Sequence, residues 1–259
     1  MYIVGIYDLK KDKETLADPL AVTLGVTNYE ALSRLRTPGG GPLIVAVIAL
    51  KDKAELLAKK LNSAGFNTAV IVDEDIESET SAWVVRNFSF SEQELIVETW
   101  NDKKVSLLFK NIDLLLRGTG MSSSTSKETV KNRSLNLGRA VLSGGLIVSK
   151  TTKTINDITT EEREAFINIY AGDSPILVFR ENSLVYDSLG AALKLSRKEN
   201  FAYLMAEFRR FCPAAKYDER LLTRPTQVGI LGPVLNPEKN LSVATALLAK
   251  VLRGRRLEV

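Results

Sequence analysis

The run LIVAVIAL, residues 43–50, most constrains what this chain can fold into. It is continuous, apolar and partly β-branched, and it is far shorter than a membrane-spanning helix, which needs about 18 residues or more. We therefore predict a central strand of a sheet. The segment PGGGP, residues 38–42, stands directly before the run, so the chain is expected to turn just before it enters the strand.

Strand and helix patterns alternate around this run over the first 76 residues. Residues 2–9, YIVGIYDL, and 67–72, NTAVIV, are typical of strands. Leucines at helical spacing predict a first helix, and Thr27 with Glu30 three positions later forms a capping box for a second. KDKAELLAKKLNSAG, residues 51–65, predicts a third. The predicted order is strand, helix, helix, strand, helix, strand.

The glycine turn and the second helix form the candidate partner-binding surface. A phosphate cradle follows a strand and opens a helix, whereas Gly39, Gly40 and Gly41 leave a helix and enter a strand. They therefore predict a turn. Tyr29 and Ser33 are four residues apart and share one helix face, and tyrosine is enriched at interface hot spots. The competing and slightly favoured interpretation is that Tyr29 packs over the edge of the sheet.

The stretch LAVTLGVTNYEALSRLRTPGGGPLIVAVIALKDKAELLAKKLNSAGFNTAVIV carries a family resemblance. It resembles the C-terminal domain of the ribosomal stalk protein and its relative, the N-end-rule adaptor of the Clp protease. The resemblance covers residues 1–76 and implies a small domain that binds proteins and catalyses nothing. The Clp adaptor grips a free amino terminus with an acidic loop and a histidine. The corresponding loop here, DLKKDKET, matches neither, so that specificity does not carry over.

The acidic, non-periodic segment 73–81 is the predicted domain boundary, and a β-rich domain is expected over 82–215. Short strand-like runs recur from residue 82 onward, and the serine- and threonine-rich stretch 121–133 is predicted to be a mobile loop. Ser196 and Glu199 form a second capping box ahead of an amphipathic helix. About seven strands followed by one helix resembles the layout of a pleckstrin-homology-like domain.

The fold class predicted for the whole chain is α+β. It comprises a small βααβαβ domain, a larger β-rich domain with a pleckstrin-homology-like layout, and C-terminal helices. Residues 216–259 form a C-terminal extension, in which 216–240 looks like a loop and 241–252 predicts a basic amphipathic helix. A docking helix is the favoured interpretation, and a helix lying on a membrane is the alternative.

Residue usage excludes several chemistries. The chain has no histidine, which removes a Ser-His-Asp triad, a Cys-His pair and imidazole metal ligands. Its one cysteine, Cys212, cannot form an intramolecular disulfide, and a reducing cytoplasm is the expected compartment. No secretory signal is expected from the N-terminal residues. We therefore expect a non-enzymatic protein-binding adaptor or regulator without cofactor or metal.

Two alternatives stay open. Residues 101–155 carry ten Lys and Arg against three Asp and Glu, a charge of +7, which suggests nucleic-acid or anionic-membrane binding. The candidate anion-binding residues are Lys103, Lys104, Lys127, Lys131, Arg133 and Arg139. An enzyme would have to use Asp218 or Glu219, although an ion pair with Arg220 is the favoured interpretation of this cluster.

Overall fold

The computed structural model describes residues 1–9, 12–36, 38, 40–76, 83–135 and 149–254. The N-terminal part follows the predicted order of elements. Its strands are β1 (Tyr2–Tyr7), β2 (Leu43–Ile48) and β3 (Asn67–Val72), and its helices are α1 (Lys13–Leu24), α2 (Asn28–Leu35) and α3 (Lys51–Ser63). The capping box at Thr27 and Glu30 is confirmed, since each residue accepts a hydrogen bond from the backbone N–H of the other.

The three strands form an antiparallel sheet in the order β2–β1–β3. The prediction of a central strand at 43–50 is therefore wrong, because β2 lies at an edge of this sheet and β1 lies in the middle. A continuous apolar run indicates that both faces of a strand are covered by other parts of the protein. It does not indicate whether the strand has one neighbouring strand or two, because strand pairing depends on residues that are distant in the sequence.

The rest of the described chain contributes a mixed seven-stranded sheet and three further helices. The strands are β4 (Trp83–Phe90), β5 (Glu94–Thr99), β6 (Lys104–Leu108), β7 (Ile112–Leu135), β8 (Ser149–Ala171), β9 (Leu177–Arg180) and β10 (Lys216–Leu221). The helices are α4 (Arg197–Phe211), α5 (Arg224–Leu231) and α6 (Pro237–Arg253). The sheet order is β10–β7–β8–β9–β4–β5–β6, with β10 parallel to β7 and β9 parallel to β4.

These elements confirm the α+β class, with a small sheet, a larger sheet and C-terminal helices. Two local predictions are wrong. The predicted mobile loop 121–133 is part of β7, and the described residues between 121 and 163 belong to a second compact unit. The predicted loop 216–240 contains β10 and α5. Polar composition and isolated glycines or prolines mark loops only where no neighbouring strand or helix pairs with the segment.

Three clusters of buried apolar side chains stabilise the larger compact unit, which comprises the described residues up to Gly120 and from Glu164 onward. One contains β1 and β2 residues with those of α1, α2 and α3. A second contains residues of β1, β2 and β3 together with residues of β7, β8, β10, α5 and α6. A third, rich in aromatic rings, packs α4 against the seven-stranded sheet. The three-stranded sheet is thus covered on both faces.

Helix α6 is docked, as the favoured interpretation of 241–252 predicts. Ala244, Leu247 and Leu248 are buried without exposed surface in the cluster that joins α6 to the strands. Its last turn is fastened by Arg253, which forms two hydrogen bonds of 2.8 Å with the Asp113 carboxylate. Over the described chain, no helix is long and apolar enough to cross a bilayer.

Candidate interaction surface

The helical pair α1–α2 presents Tyr29 to solvent. Thr27 fixes the start of α2, and Tyr29 lies in its first turn with 81% of its surface exposed. The alternative in which Tyr29 packs over the sheet edge is therefore wrong. Ser33, one turn later, is also exposed, whereas Ala31 and Leu35 point the other way into the core. Helix periodicity accordingly separates an outward Tyr29–Ser33 face from a buried one.

Polar contacts hold α2 to α1 at both ends of α2. Asn28 donates a side-chain hydrogen bond to Asp18, and Arg36 forms a 2.5 Å ion pair with Glu14. The hydrogen bond from Arg36 is the main reason that the pKa of Glu14 falls to about 2. The Glu14 carboxylate is therefore charged at neutral pH. Tyr29 projects from a helix that these contacts keep in place.

The glycine turn lies between α2 and β2, as predicted, and is tied to a distant strand. Gly40 and Gly41 have φ values of 67° and 87°, the left-handed region that glycine favours. The carbonyl of Gly41 accepts a hydrogen bond from the Arg220 guanidinium, which also pairs with Asp218 at 2.7 Å. Gly39 lies outside the described residues. No sequence pattern links Gly41 with Arg220, because 179 positions separate them.

The two carboxylates of the YDERL segment engage different partners. Asp218 accepts hydrogen bonds from the Arg220 side chain, which confirms the predicted ion pair. Glu219 pairs with Arg117 at 3.1 Å and accepts a 2.5 Å hydrogen bond from Tyr217. Burial, reinforced by that hydrogen bond, raises the pKa of Tyr217. The two carboxylates are adjacent on β10 and do not form an acid–base pair with each other in this arrangement.

Cys212 is buried at the C-terminal end of α4, within the aromatic-rich cluster. Burial raises the pKa of its thiol to about 11. The thiolate, which is the nucleophilic form, is therefore scarce at neutral pH.

Only part of the predicted anion-binding set can be located. Lys103 and Lys104 are exposed at the β5–β6 turn. The Lys103 ammonium lies 4.4 Å from the centre of the Trp83 ring, and Lys104 pairs across the strands with Glu98. The side chains of Lys127, Lys131 and Arg133 lie outside the described part of the chain, as does the whole of Arg139.

Sequence reasoning missed a second aromatic and cationic pair beside these lysines. Trp100 is 52% exposed, and the Arg86 guanidinium lies 5.0 Å from the centre of its ring. The Trp100 backbone N–H donates to the carbonyl of Val84, which holds the turn against β4. A tryptophan at the end of a strand, followed by the polar turn NDKK, is the sequence signal that could have pointed to this exposed ring.

Within the described residues, no three Cys, Asp or Glu side chains lie close enough to hold a metal ion. Comparisons with models of protein families, with curated proteins and with solved structures found no match to this chain.

Proposed function

We propose that this protein is a non-enzymatic, cytoplasmic adaptor or regulator that binds another protein through the outward face of α2 and the neighbouring glycine turn. The observation that carries the proposal is the 81% exposure of Tyr29 on a helix anchored at both ends. A tyrosine has few rotatable bonds and offers both a large apolar ring and a hydroxyl, so ordering it on binding costs little entropy.

The surroundings of Tyr29 support a contact role. Ser33 is small, so a partner side chain can approach the ring along the helix. Gly40 is exposed and adds backbone surface without a side chain, while the Arg220 hydrogen bond holds Gly41 in position. A fixed aromatic beside small residues resembles the centre of many interfaces, where a few anchors carry most of the binding free energy. The family resemblance of residues 1–76 also implies protein binding.

Affinity capture from extract of the native cell tests the proposal, with the full chain as bait and Tyr29→Ala as the variant. We expect Tyr29→Ala to lower capture of the partner about tenfold or more, because truncation of an aromatic hot spot costs at least about 2 kcal/mol. The melting temperature should not change, since the side chain is exposed. Val22→Ala is the matched control, because Val22 is 84% exposed on the neighbouring helix α1. A partner captured equally by wild type and Tyr29→Ala would contradict the proposal.

A second candidate function is the binding of single-stranded nucleic acid, favoured by the exposed Trp100 ring with Arg86, Lys103 and Lys104 nearby. Exposed aromatic rings stack on bases, and neighbouring cations contact the phosphates. Filter binding of an oligonucleotide at two salt concentrations tests it. Retention should fall steeply with salt, and Trp100→Ala should reduce it further. Absence of retention at low salt would exclude this function.

A further inference from the structure

The segment 193–198, which leads into α4, exposes apolar side chains that a folded chain ordinarily buries. Leu195 is the most exposed large apolar residue of the described chain, at 106%, and Leu193 is 49% exposed. Both lie within a few residues of each other in the sequence LKLSRK. A single exposed leucine is ordinary, but two on one short segment form a small apolar protrusion.

The segment is held in this exposed conformation from beneath. Asn200 is only 5% exposed, and its side chain bonds Lys194 twice, accepting from the backbone N–H at 2.6 Å and donating to the carbonyl at 3.2 Å. The capping box of Ser196 and Glu199 fixes the next residues. These hydrogen bonds hold the backbone on both sides of Leu195 while its side chain is exposed. Binding through this segment therefore requires little further ordering of the backbone.

Three cationic residues share this short segment with the two leucines, and the ammonium of one of them, Lys194, lies 5.8 Å from the centre of the Tyr203 ring. Lys194, Arg197 and Lys198 are all exposed, and Glu199, the carboxylate nearest in sequence, is engaged in the capping box. Arg197 donates to the carbonyl of Asn182 at 2.7 Å, so its guanidinium is held beside the segment. The segment therefore combines two exposed leucines with three exposed cationic side chains.

This combination fits a lipid surface better than a protein partner. Protein interfaces are depleted in lysine, and leucine is under-represented among hot spots. Peripheral membrane contacts place apolar side chains at the boundary of headgroups and acyl chains, while lysine and arginine stay level with the phosphates. We propose that residues 193–198 contact an anionic membrane surface, with Leu193 and Leu195 entering the bilayer interface and Lys194, Arg197 and Lys198 binding the lipid phosphates.

Co-sedimentation of the full-length protein with vesicles tests this proposal. The vesicles contain phosphatidylcholine alone, or phosphatidylcholine and phosphatidylglycerol in equal parts. We expect binding to the anionic vesicles only. Leu195→Ser should lower the partition coefficient about tenfold, because one leucine leaves the interface. Lys198→Gln should lower it about fivefold, the effect of one charge near an anionic surface.

Leu56→Ser is the matched control, since Leu56 is 54% exposed on α3 with Lys53, Lys59 and Lys60 near it in sequence. It should leave vesicle binding unchanged, and all three substitutions are at exposed sites that should not alter the melting temperature. Absence of wild-type binding to anionic vesicles would overturn the proposal. So would an equal loss with Leu56→Ser, which would indicate unspecific attraction. If Leu195→Ser bound anionic vesicles as well as wild type but no longer captured the protein partner from cell extract, the segment would be assigned to that partner instead.

A fluorescent probe gives an independent readout of insertion. Cys212 is buried and its thiol is protonated, so a new exposed cysteine can be labelled selectively with an environment-sensitive dye. Leu195→Cys labelled in this way should shift its emission to the blue on anionic vesicles. The same dye at Val22→Cys, on α1, should not shift. Equal shifts at both positions, or no shift at Leu195→Cys in the fraction that co-sediments with the anionic vesicles, would contradict insertion of this segment.

Discussion

The two faces of the three-stranded sheet are covered by different parts of the chain. On one face, Val4 and Ile6 pack against α1, α2 and α3, whose buried residues all lie within the first 66 positions. On the other face, Ile3, Ile44 and Ile71 pack against residues of α5 and α6 near the C-terminus. The first face is covered by helices that lie close to its strands in the sequence. The second face is covered by helices from the C-terminal end of the chain. The first 76 residues therefore contain all three strands of the sheet but cover only one of its two faces.

The largest expected effect compares one buried leucine from each face. Leu20 on α1 and Leu247 on α6 are both fully buried. If α6 is an integral cover of the sheet, Leu247→Ala should lower the free energy of unfolding by about 2–5 kcal/mol, as much as Leu20→Ala. Urea denaturation of both variants measures this. A loss below about 1 kcal/mol for Leu247→Ala alone would indicate that α6 is dispensable and that the two faces differ in importance.

Gly5 of β1 lies where the sheet packs closely against α6. A Cβ atom at Gly5 would lie 2.8 Å from a methyl carbon of Leu247, closer than carbon atoms pack. Gly5→Ala should therefore cost about 1–3 kcal/mol by overpacking. Combining it with Leu247→Ala should make Gly5→Ala nearly neutral, because the clashing methyl is gone. A double-mutant cycle by urea denaturation measures this coupling. Additive losses would mean that β1 and α6 do not meet as closely as described.

The ion pair that fastens α6 to β7 should be stronger than the ion pair between α1 and the end of α2. Arg253 is 13% exposed and binds both oxygens of Asp113, whereas Arg36 and Glu14 are each more than half exposed. Arg253→Ala should cost about 1–2 kcal/mol, and Arg36→Ala should cost clearly less. Denaturation at low and high salt distinguishes them, since salt screens exposed pairs more. Equal losses for both variants would contradict the difference.

The smallest expected effect is the pH response of the exposed pair. The pKa of Glu14 is lowered to about 2 by Arg36, below the ordinary value near 4.3. Because the folded pKa is the lower one, the stabilisation from this pair is present above about pH 4 and is lost as the pH falls towards 2. NMR titration of the Glu14 carboxyl measures it. In Arg36→Gln the pKa should return towards 4.3, and an unchanged value would show that Arg36 is not the cause.

Much of the local structure was predictable from short-range patterns. Both capping boxes, at Thr27 with Glu30 and at Ser196 with Glu199, form as predicted, because each depends on residues three positions apart. The buried stripe of α4 is also as predicted, because helical spacing alone places those residues on one face: Phe201, Leu204, Met205 and Phe208. The exposure of Tyr29 follows from the same periodicity, once Ala31 and Leu35 are recognised as the buried side.

Other features required the folded chain. The segment 121–133 has the composition of a loop, yet it is part of strand β7. Trp100 and Leu195 are large apolar residues of a kind that is often buried, and their exposure is seen only in the tertiary structure. The anchoring of Gly41 by Arg220 joins two segments with no shared motif.

Short-range sequence patterns place the ends of most helices and strands of residues 1–76, because caps, turns and periodic apolar positions act over only a few residues. Long-range packing, in contrast, places β1 in the centre of the sheet and β2 at an edge, and brings α6 onto the second face. Lys250 of α6 donates to the carbonyl of Val70, 180 positions away. Contacts at that separation depend on how whole elements pack, and no spacing within a short segment records them.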